Sequence, residues 1–470
     1  MTSINTLPDD ALLEIFNFNV NDYYDLSLEE RDKAWQTLVH VCRRWRCIVF
    51  GSPRHLDLQL VCRNRTPARD MLDVWPALPL IVVFDGHSPT GRMDNFFAAL
   101  ECTDRVYQID LGIRQSLDLE ILLAVLQRPF PELTLLLLES TAETVAVVPD
   151  SFLGGSAPRL ISVWLLGIPF PGLPKLLLSA THLVSLYLYN IPHSGYFSPD
   201  MMVTVLSTLT SLEQLLLEFD SPRSCPDEAS RRPPPSTRSV LPLLGFFSFK
   251  GVSEYLDDMA CIDAPQLDTL SMTFFNDILF DTPQLVRFIS RTPMSKALKN
   301  AYITLEDCAA RVSLSSSQFS PSRTSRSYAE LTVMILCEGL DWQVSSLEQV
   351  CTSCLPPLYI LEDLYFYEEL HSQPDWKGSI ENRQWLDLFR SFMAVKNLYL
   401  SENFASRIAP ALQELVEGRT TDVSDVLPAL QNIFLKGFGS SESVQESIGQ
   451  FVAARQVANH PIGISPWTDS

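Results

Sequence analysis

The segments LISVWL (residues 160–165) and LVSLYL (residues 183–188) follow one template, with apolar residues at the first, fourth and sixth positions. Side chains alternate between the two faces of a strand, so the fourth and sixth residues lie on one face and the fifth on the other. The template begins at thirteen places between residues 78 and 430, with a mean step of about 29 residues. This spacing predicts repeats of a strand plus a helix, whose stacking buries one continuous core.

The residues ahead of these repeats predict a small helical unit. In LPDDALLEIF (residues 7–16), Pro8 suits the first turn of a helix and the apolar residues recur at helical spacing. A second apolar stripe continues through LVHVCRRWRCIV (residues 38–49) as one helical element. Such short helices carry more apolar surface than they can bury among themselves. We expect the first 52 residues to be separable from the repeats and to dock onto a partner.

Charge and composition narrow the class of protein. The net charge is −21, from 35 basic and 56 acidic residues, which disfavours binding to nucleic acid or to an anionic membrane. Residues 31–70 are locally basic, which is typical of a solvated face and would also suit an acidic partner. The ten cysteines are scattered, mostly within apolar runs like buried free thiols, and no apolar run approaches a membrane span. We expect a soluble intracellular protein, cytoplasmic or nuclear.

Two polar segments interrupt the repeats, at residues 221–240 and 313–327. Both are rich in Ser, Pro and Arg, and their low apolar content predicts surface insertions. They are either surface insertions that the fold tolerates without a function, or sites of phosphorylation.

The sequence offers no evident catalytic chemistry. Phosphate-binding and nucleophile-elbow motifs are missing, and the seven histidines are dispersed. The pair Cys351 and Cys354 forms a lone C-x-x-C without a second pair of ligands. We therefore predict no catalytic residue, no metal and no cofactor.

The N-terminal residues resemble the F-box, whose motif runs Leu-Pro, then an Ile/Leu-Phe pair, then Val-Cys-x-x-Trp. The continuation GSPRHLDLQLVC (residues 51–62) is similar to F-box proteins of mushroom-type fungi, whose C-terminal region is leucine-rich-repeat-like. The resemblance implies an α/β chain with an F-box at residues 1–54, an irregular leucine-rich-repeat-like solenoid at 55–460 and a tail at 461–470. The adaptor-binding residues that it implies are Leu7, Pro8, Leu12, Ile15, Phe16, Val41, Cys42 and Trp45.

An F-box docks onto a Skp-family adaptor and through it onto a cullin–RING ubiquitin ligase. The resemblance thus implies a non-catalytic receptor subunit whose repeats bind a protein substrate that is then ubiquitinated. A scaffold that interacts without ubiquitination, or an enzyme with an unrecognised site, are the alternatives. The stretch at residues 17–35 is roughly ten residues longer than usual for an F-box. Only Asn403 falls where leucine-rich repeats usually place an asparagine after the strand.

The fifth residue of each template must point away from the core, and in a stacked array these residues form one recognition face. The thirteen positions hold six aromatic residues, where the composition of 10% aromatic residues would give about one. Tyr and Trp on such a face suit protein recognition, unless a loop or the C-terminal segment around Trp467 covers them. The predicted substrate-binding residues are Trp164, Tyr187, Tyr189, Tyr302, Tyr365, Tyr367, Tyr399 and Phe434. The full series of fifth positions is Val82, Asp110, Leu137, Trp164, Tyr187, Leu216, Ser248, Ser271, Tyr302, Ile335, Tyr365, Tyr399 and Phe434.

Overall fold

The structure is a computed structural model, and it divides the chain into two compact units, Met1–Phe197 and Ser198–Ser470. Among the described helices, none combines the length and the apolar character needed to cross a bilayer. The described residues are 4–21, 28–63, 68–84, 93–114, 116–142, 146–222, 239–252, 255, 262–275, 286, 288–289, 298–317, 329–353, 355, 358–367, 381–417, 425–436 and 442–467.

The first unit begins with three helices that pack on one another, α1 (Asp9–Asn21), α2 (Leu28–Val41) and α3 (Arg43–Gly51). The predicted continuous stripe through residues 38–49 is wrong, because the chain breaks between α2 and α3. Cys42 has extended backbone angles, and its Sγ accepts a hydrogen bond from the Trp45 N–H at 3.5 Å. Cys42 thus caps α3, since a side-chain acceptor at this position satisfies one of the unpaired N–H groups of the first turn.

Aromatic rings join the three helices to the rest of the first unit. Trp35 is buried on α2, and its ring lies 5.2 Å from that of Trp75 and 6.3 Å from that of Phe50. Trp75 directly follows α4 (Ala68–Val74) and also faces Phe50 edge-on at 5.9 Å. The compact unit that holds these helices extends from Met1 to Phe197, and the boundary after residue 54 stays a prediction.

The strands of the first unit pair in parallel, each with the next along the chain. Leucine, isoleucine and valine side chains alternate inward and form the core, as the template predicts. A 3-10 helix, Phe152–Gly155, follows β4. The elements are β1 (Leu60–Arg63), β2 (Leu80–Phe84), α5 (Met93–Glu101), β3 (Val106–Ile113), α6 (Ser116–Val125), β4 (Leu135–Ser140), β5 (Ser162–Leu166), α7 (Leu173–Leu177) and β6 (Ser185–Ile191).

The second unit is also a mixed α/β structure built on a mostly parallel sheet. Its helices are α8 (Pro199–Leu206), α9 (Leu340–Ser353), α10 (Asn382–Arg390), α11 (Glu402–Glu417) and α12 (Glu442–Val457). Its strands are β7 (Gln214–Phe219), β8 (Ser239–Val240), β9 (Phe246–Gly251), β10 (Ile262–Asp263), β11 (Thr269–Phe275), β12 (Asn300–Glu306), β13 (Ala309–Ser315), β14 (Leu331–Leu336), β15 (Asp363–Tyr367), β16 (Asn397–Leu400), β17 (Asn432–Leu435) and β18 (Gly463–Pro466).

Every one of the thirteen template segments coincides with a strand, which confirms the α/β class and the repeating parallel strands. Strand order departs from the prediction in the middle of the second unit, where it runs β11–β14–β13–β12–β15. There β12 and β13 form an antiparallel hairpin, and β13 also pairs antiparallel with β14. The template predicts one parallel strand per repeat, and β13 carries no template.

The proposed insertion at residues 313–327 begins too early. Ser313, Leu314 and Ser315 belong to β13, and all three side chains are buried. Leu314 opposes Ala301 on β12 and Leu331 on β14, so strand pairing on both sides outweighs the polar composition of this segment. Residues 239–240 of the other insertion likewise form β8. Of the other insertion residues, 223–238 and 318–327 lie outside the described residues.

The proposed tail at residues 461–470 is a strand in part, because β18 pairs in parallel with β17 over four residues. Glycine and proline there are poor strand formers, but an open sheet edge supplies the backbone hydrogen bonds that fix them. Asn403 lies exposed in the first turn of α11.

The burial of Leu314 leads to the first prediction, which concerns stability. Replacing it with Ala should lower the free energy of unfolding by about 2–5 kcal/mol, because the lost side chain leaves a cavity between two strand partners. Chemical denaturation of the full chain measures this effect. The exposed neighbour Ser317, changed to Ala, should shift stability by less than about 0.5 kcal/mol. Equal effects at both positions would contradict the buried placement of the strand.

The aromatic contacts of Trp35 make the second prediction. Trp35→Ala should cost about 3–5 kcal/mol, since a buried indole leaves a large cavity beside Trp75. Trp342→Ala removes the same side chain from an exposed site and should be nearly neutral in thermal unfolding. A fragment that starts at residue 53 should also melt below the full chain, because it loses both Trp35 and Phe50. An unchanged melting temperature for that fragment would instead support the prediction from the sequence that the N-terminal helices form a separable unit.

Candidate binding surfaces

The F-box-like residues divide into a core set and an exposed set. Leu12 and Phe16 are buried on the inner face of α1, so in this structure they support the helical unit and offer no surface to an adaptor. Trp45 is half-buried, with its ring 4.7 Å from that of Phe16. Cys42 is engaged as the cap of α3, and Leu7 is half-buried.

A second stripe on α1 faces outward. Ala11, Ile15 and Phe18 recur at helical spacing along a flank of α1 beside the face of Leu12 and Phe16, and Pro8 directly precedes the helix. We call these four residues the outer stripe. Phe18 is 65% exposed, Ile15 is 45% exposed, and Val41 at the end of α2 is 56% exposed. The sequence analysis missed Phe18, because it considered only one apolar face of this helix. The i, i+3, i+7 spacing of the outer stripe is nevertheless visible in the sequence.

Part of the local basic run holds the helices together. Arg44 on α3 pairs with the Asp9 carboxylate at 2.6 Å and donates to the Leu7 carbonyl at 2.6 Å, which ties α3 to the start of α1. Arg46 donates to the Val39 carbonyl at 3.0 Å, near the end of α2. These two arginines are therefore structural, whereas the exposed Arg43 and Arg54 leave positive charge at the surface of the unit.

Three predicted recognition residues form one open aromatic group in the first unit. Trp164 on β5 lies beside Tyr187 on β6, with ring centroids 3.9 Å apart, and Tyr189 lies 6.2 Å from both rings. Parallel pairing places Trp164 directly opposite Tyr187. Trp164 is 36% exposed, and the Trp164 indole N–H donates to the Ser162 hydroxyl at 2.9 Å, which fixes the ring over the sheet. We call these three residues the tryptophan patch.

Four other predicted residues stack as a ladder in the second unit. Tyr302, Tyr365, Tyr399 and Phe434 oppose one another on β12, β15, β16 and β17, with ring centroids 4.1–4.6 Å apart and nearly parallel planes. Tyr367 meets Tyr302 edge-on at 6.3 Å. We call the four stacked residues the tyrosine ladder.

The tyrosine ladder is not an open face. Tyr302 is 1% exposed and Tyr365 is 7% exposed, so the predicted accessibility of these two rings is wrong. Trp467, the residue after β18, lies 6.1 Å from Tyr365 and 5.7 Å from Tyr399. The alternative in which the C-terminal segment covers the rings thus holds for Tyr365 and Tyr399. A substrate role for the half-buried Tyr399, Tyr367 and Phe434 stays a prediction.

Two of the thirteen predicted outward positions face the core instead. A shift in register between β2 and β3 pairs Val83 with Asp110, so Val82 points inward and is buried. On β14, Thr332 pairs with Ser271 and Ser313 on the outer face, whereas Ile335 is buried. Continuous apolar runs such as LTVMIL (residues 331–336) do not reveal which alternate set is buried.

A polar ladder runs beside the tyrosine ladder and was missed. The Asn397 amide donates to the Asp363 carboxylate at 2.6 Å, and the Asn432 amide donates to the Asn397 amide oxygen at 2.8 Å. The same position on β12 holds the buried Asn300, which donates to the Ser315 carbonyl at 3.3 Å. All four residues occupy the third position of their template, a signal that the sequence does carry.

Burial and neighbouring groups change the ionisation of the tyrosine ladder. Desolvation by burial raises the pKa of Tyr365, and the charges of Tyr399 and Asp363 add to the increase. Desolvation also raises the pKa of Tyr399, with a further increase from Asp363. The phenols therefore stay neutral, which suits stacked rings with a hydrogen bond between the hydroxyls of Tyr365 and Tyr399.

Two observations bear on metal and thiol chemistry in the described residues. Within them, no three histidine, cysteine or acidic side chains come together as metal ligands do. Burial raises the pKa of the Cys337 thiol to about 11, so the unreactive thiol form prevails at neutral pH. Cys351 is buried on α9, and Cys354 lies outside the described residues.

Comparison with known proteins does not assign this chain to a family. No protein-family model and no curated protein matches the chain. Among solved structures, the chain is similar to the leucine-rich repeat-containing protein LegL7 from Legionella pneumophila, with 13% identity and a TM-score of 0.26. That match covers 84% of this chain and 97% of LegL7. At these values the likeness carries no inference about function, and the fold rests on the strand topology described above.

The raised pKa of Tyr365 makes the third prediction. Below its usual pKa of 10 the phenol is neutral in the folded and unfolded chains, so stability is unaffected there. Above that pH the unfolded chain loses its proton first, and stability should fall by about 1.4 kcal/mol per pH unit from this group. Thermal midpoints of the wild type and of Tyr365→Phe, measured across this range, test the effect. The variant should lose less stability at high pH, and parallel pH profiles for the two proteins would contradict the burial of Tyr365.

Proposed function

We propose that this protein is the substrate-recognition subunit of a ubiquitin ligase of the Skp–cullin–F-box type. The observation that carries the proposal is the outer stripe of α1, an exposed apolar surface on a helical unit whose residues resemble the F-box. In such a ligase the receptor performs no chemistry. It joins an adaptor at one surface to a substrate at another.

The outer stripe is the surface that supports adaptor docking. Ile15 and Phe18 present large apolar side chains on one helix, with Pro8 at the start of that helix. Contiguous exposed apolar groups of this kind mark interaction surfaces, since burying each large side chain contributes about 1.5–3 kcal/mol. Two exposed arginines add positive charge to this helical unit: Arg43 is the first residue of α3, and Arg54 follows the end of α3. This charge suits an acidic adaptor.

The tryptophan patch is the surface that supports substrate binding. Its rings are fixed by stacking and by the Ser162 hydrogen bond, so little side-chain freedom is lost when a partner covers them. The tyrosine ladder supports the role less well, because two of its rings are already buried.

The fourth prediction tests adaptor docking. Ile15→Ala combined with Phe18→Ala should weaken co-purification with a Skp-family adaptor and its cullin by about a hundredfold, as for two residues at an interface centre. The melting temperature should stay near that of the wild type, because both side chains are exposed. Ile121 is exposed on α6, and Ile121→Ala is the matched control.

Substituting Ile15 and Phe18 tests adaptor docking more specifically than substituting Trp45. The Trp45 ring also packs on Phe16, so its removal would affect the helical unit itself. Adaptor binding that survives the double variant would refute docking through the outer stripe. Binding of the adaptor without its cullin would favour the scaffold alternative. Failure of the wild-type protein to bind any Skp-family adaptor would refute the proposed function.

A further inference from the structure

The outward face of β3, β4, β5 and β6 combines aromatic and acidic side chains in register. One row runs Asp110, Leu137, Trp164 and Tyr187, each directly opposite the next. The adjacent row runs Gly112, Glu139, Leu166 and Tyr189. Acidic side chains thus lie on β3 and β4, and aromatic rings lie on β5 and β6.

The spacing of these groups follows from strand pairing. Neighbouring strands lie about 4.8 Å apart, so the Asp110 and Trp164 positions are about 10 Å apart, with Leu137 between them. Glu139 stands two residues beyond Leu137 on the same face of β4, next to the strand that carries Trp164. One extended segment of a partner crossing the strands would therefore contact both kinds of group.

The two carboxylates lack a compensating cation in the described part of the chain. No ion pair joins either Asp110 or Glu139 to a basic residue there. Burial raises the pKa of Asp110, and the charge of Glu139 raises it further. A nearby cation would act in the opposite direction, so the acidic side of this face is electrostatically unbalanced.

We propose that this face docks a segment of a partner protein that carries Lys or Arg beside an apolar residue. The cation lies against Asp110 and Glu139, and the neighbouring side chain covers Trp164 and Tyr187. This inference rests on the proposed function and specifies the chemistry of its substrate.

Three physical effects favour such an occupant. A partner cation removes the repulsion between the two carboxylates, and a charge-assisted hydrogen bond forms in a partly desolvated site. An apolar side chain, or the face of a second guanidinium, packs on the Trp164 ring, where cations are also attracted. An acidic segment would instead add to the repulsion, so the face selects by charge as well as by shape.

The test uses labelled peptides of equal apolar content, one set with Lys and Arg and the other with Asp and Glu in their places. Fluorescence anisotropy with the full chain should show the basic set binding at least about tenfold more tightly than the acidic set. Asp110→Asn combined with Glu139→Gln should weaken the best basic peptide by about tenfold or more. Trp164→Ser should do the same with only a small loss of stability, from the lost ring contact with Tyr187.

A matched control separates this face from the general negative charge of the chain. Glu101→Gln combined with Glu120→Gln removes two exposed carboxylates from α5 and α6 and changes net charge equally. This control should bind the basic peptide within about twofold of the wild type. Equal weakening by both pairs, or a basic set that binds no better than the acidic set, would overturn the inference.

Adaptor co-purification of the same variants distinguishes the two proposals. The Asp110 and Glu139 variant should keep its adaptor, since those residues lie on the sheet and not on α1. A wild-type chain that binds the basic peptides selectively but captures no Skp-family adaptor would count against the proposed function alone. A wild-type chain that captures the adaptor but binds the basic set no better than the acidic set would count against this inference alone.

Discussion

In-register pairing of consecutive parallel strands is the constraint on which the rest of this structure depends. It lines up the inward leucines, isoleucines and valines of neighbouring strands, such as Leu136, Val163 and Leu186 in the first unit, all fully buried. Each such side chain contributes about 1.5–3 kcal/mol when it leaves water. Because side chains alternate along a strand, the same register also lines up the outward residues. The core and the candidate recognition rows are therefore set by one geometry.

That geometry has opposite consequences in the two units. In the first unit it brings Trp164 and Tyr187 together on an accessible surface. In the second unit it stacks four aromatic rings, but two of them are buried and the central phenols stay neutral. An aromatic residue at an outward strand position can thus serve recognition or packing. The choice depends on what lies above the sheet, and strand periodicity carries no information about it.

The sequence predicts local features of this fold well and long-range features poorly. Thirteen strands could be located because each needs only a few apolar residues at a spacing that the backbone imposes. The order of β12, β13 and β14 could not be predicted, since it depends on contacts between strands distant in the chain. The break between α2 and α3 at Cys42 could not be predicted either. The residues on both sides of Cys42 keep the apolar periodicity of one helix although the chain changes direction there. The outer stripe and the polar ladder were present in the sequence as regular spacings, and a reading of more than one face per element would have found them.

The reversed order around the β12–β13 hairpin also constrains how the second unit can assemble. A solenoid with strands in chain order can add each repeat to the previous one as it leaves the ribosome. Here β11, which ends at Phe275, pairs with β14, which begins only at Leu331. One edge of β11 therefore has no native partner until more than fifty further residues have been made. Strands therefore cannot be added in chain order beyond β11 until β14 has been made, and an unpaired strand edge of this kind can pair with a neighbouring chain.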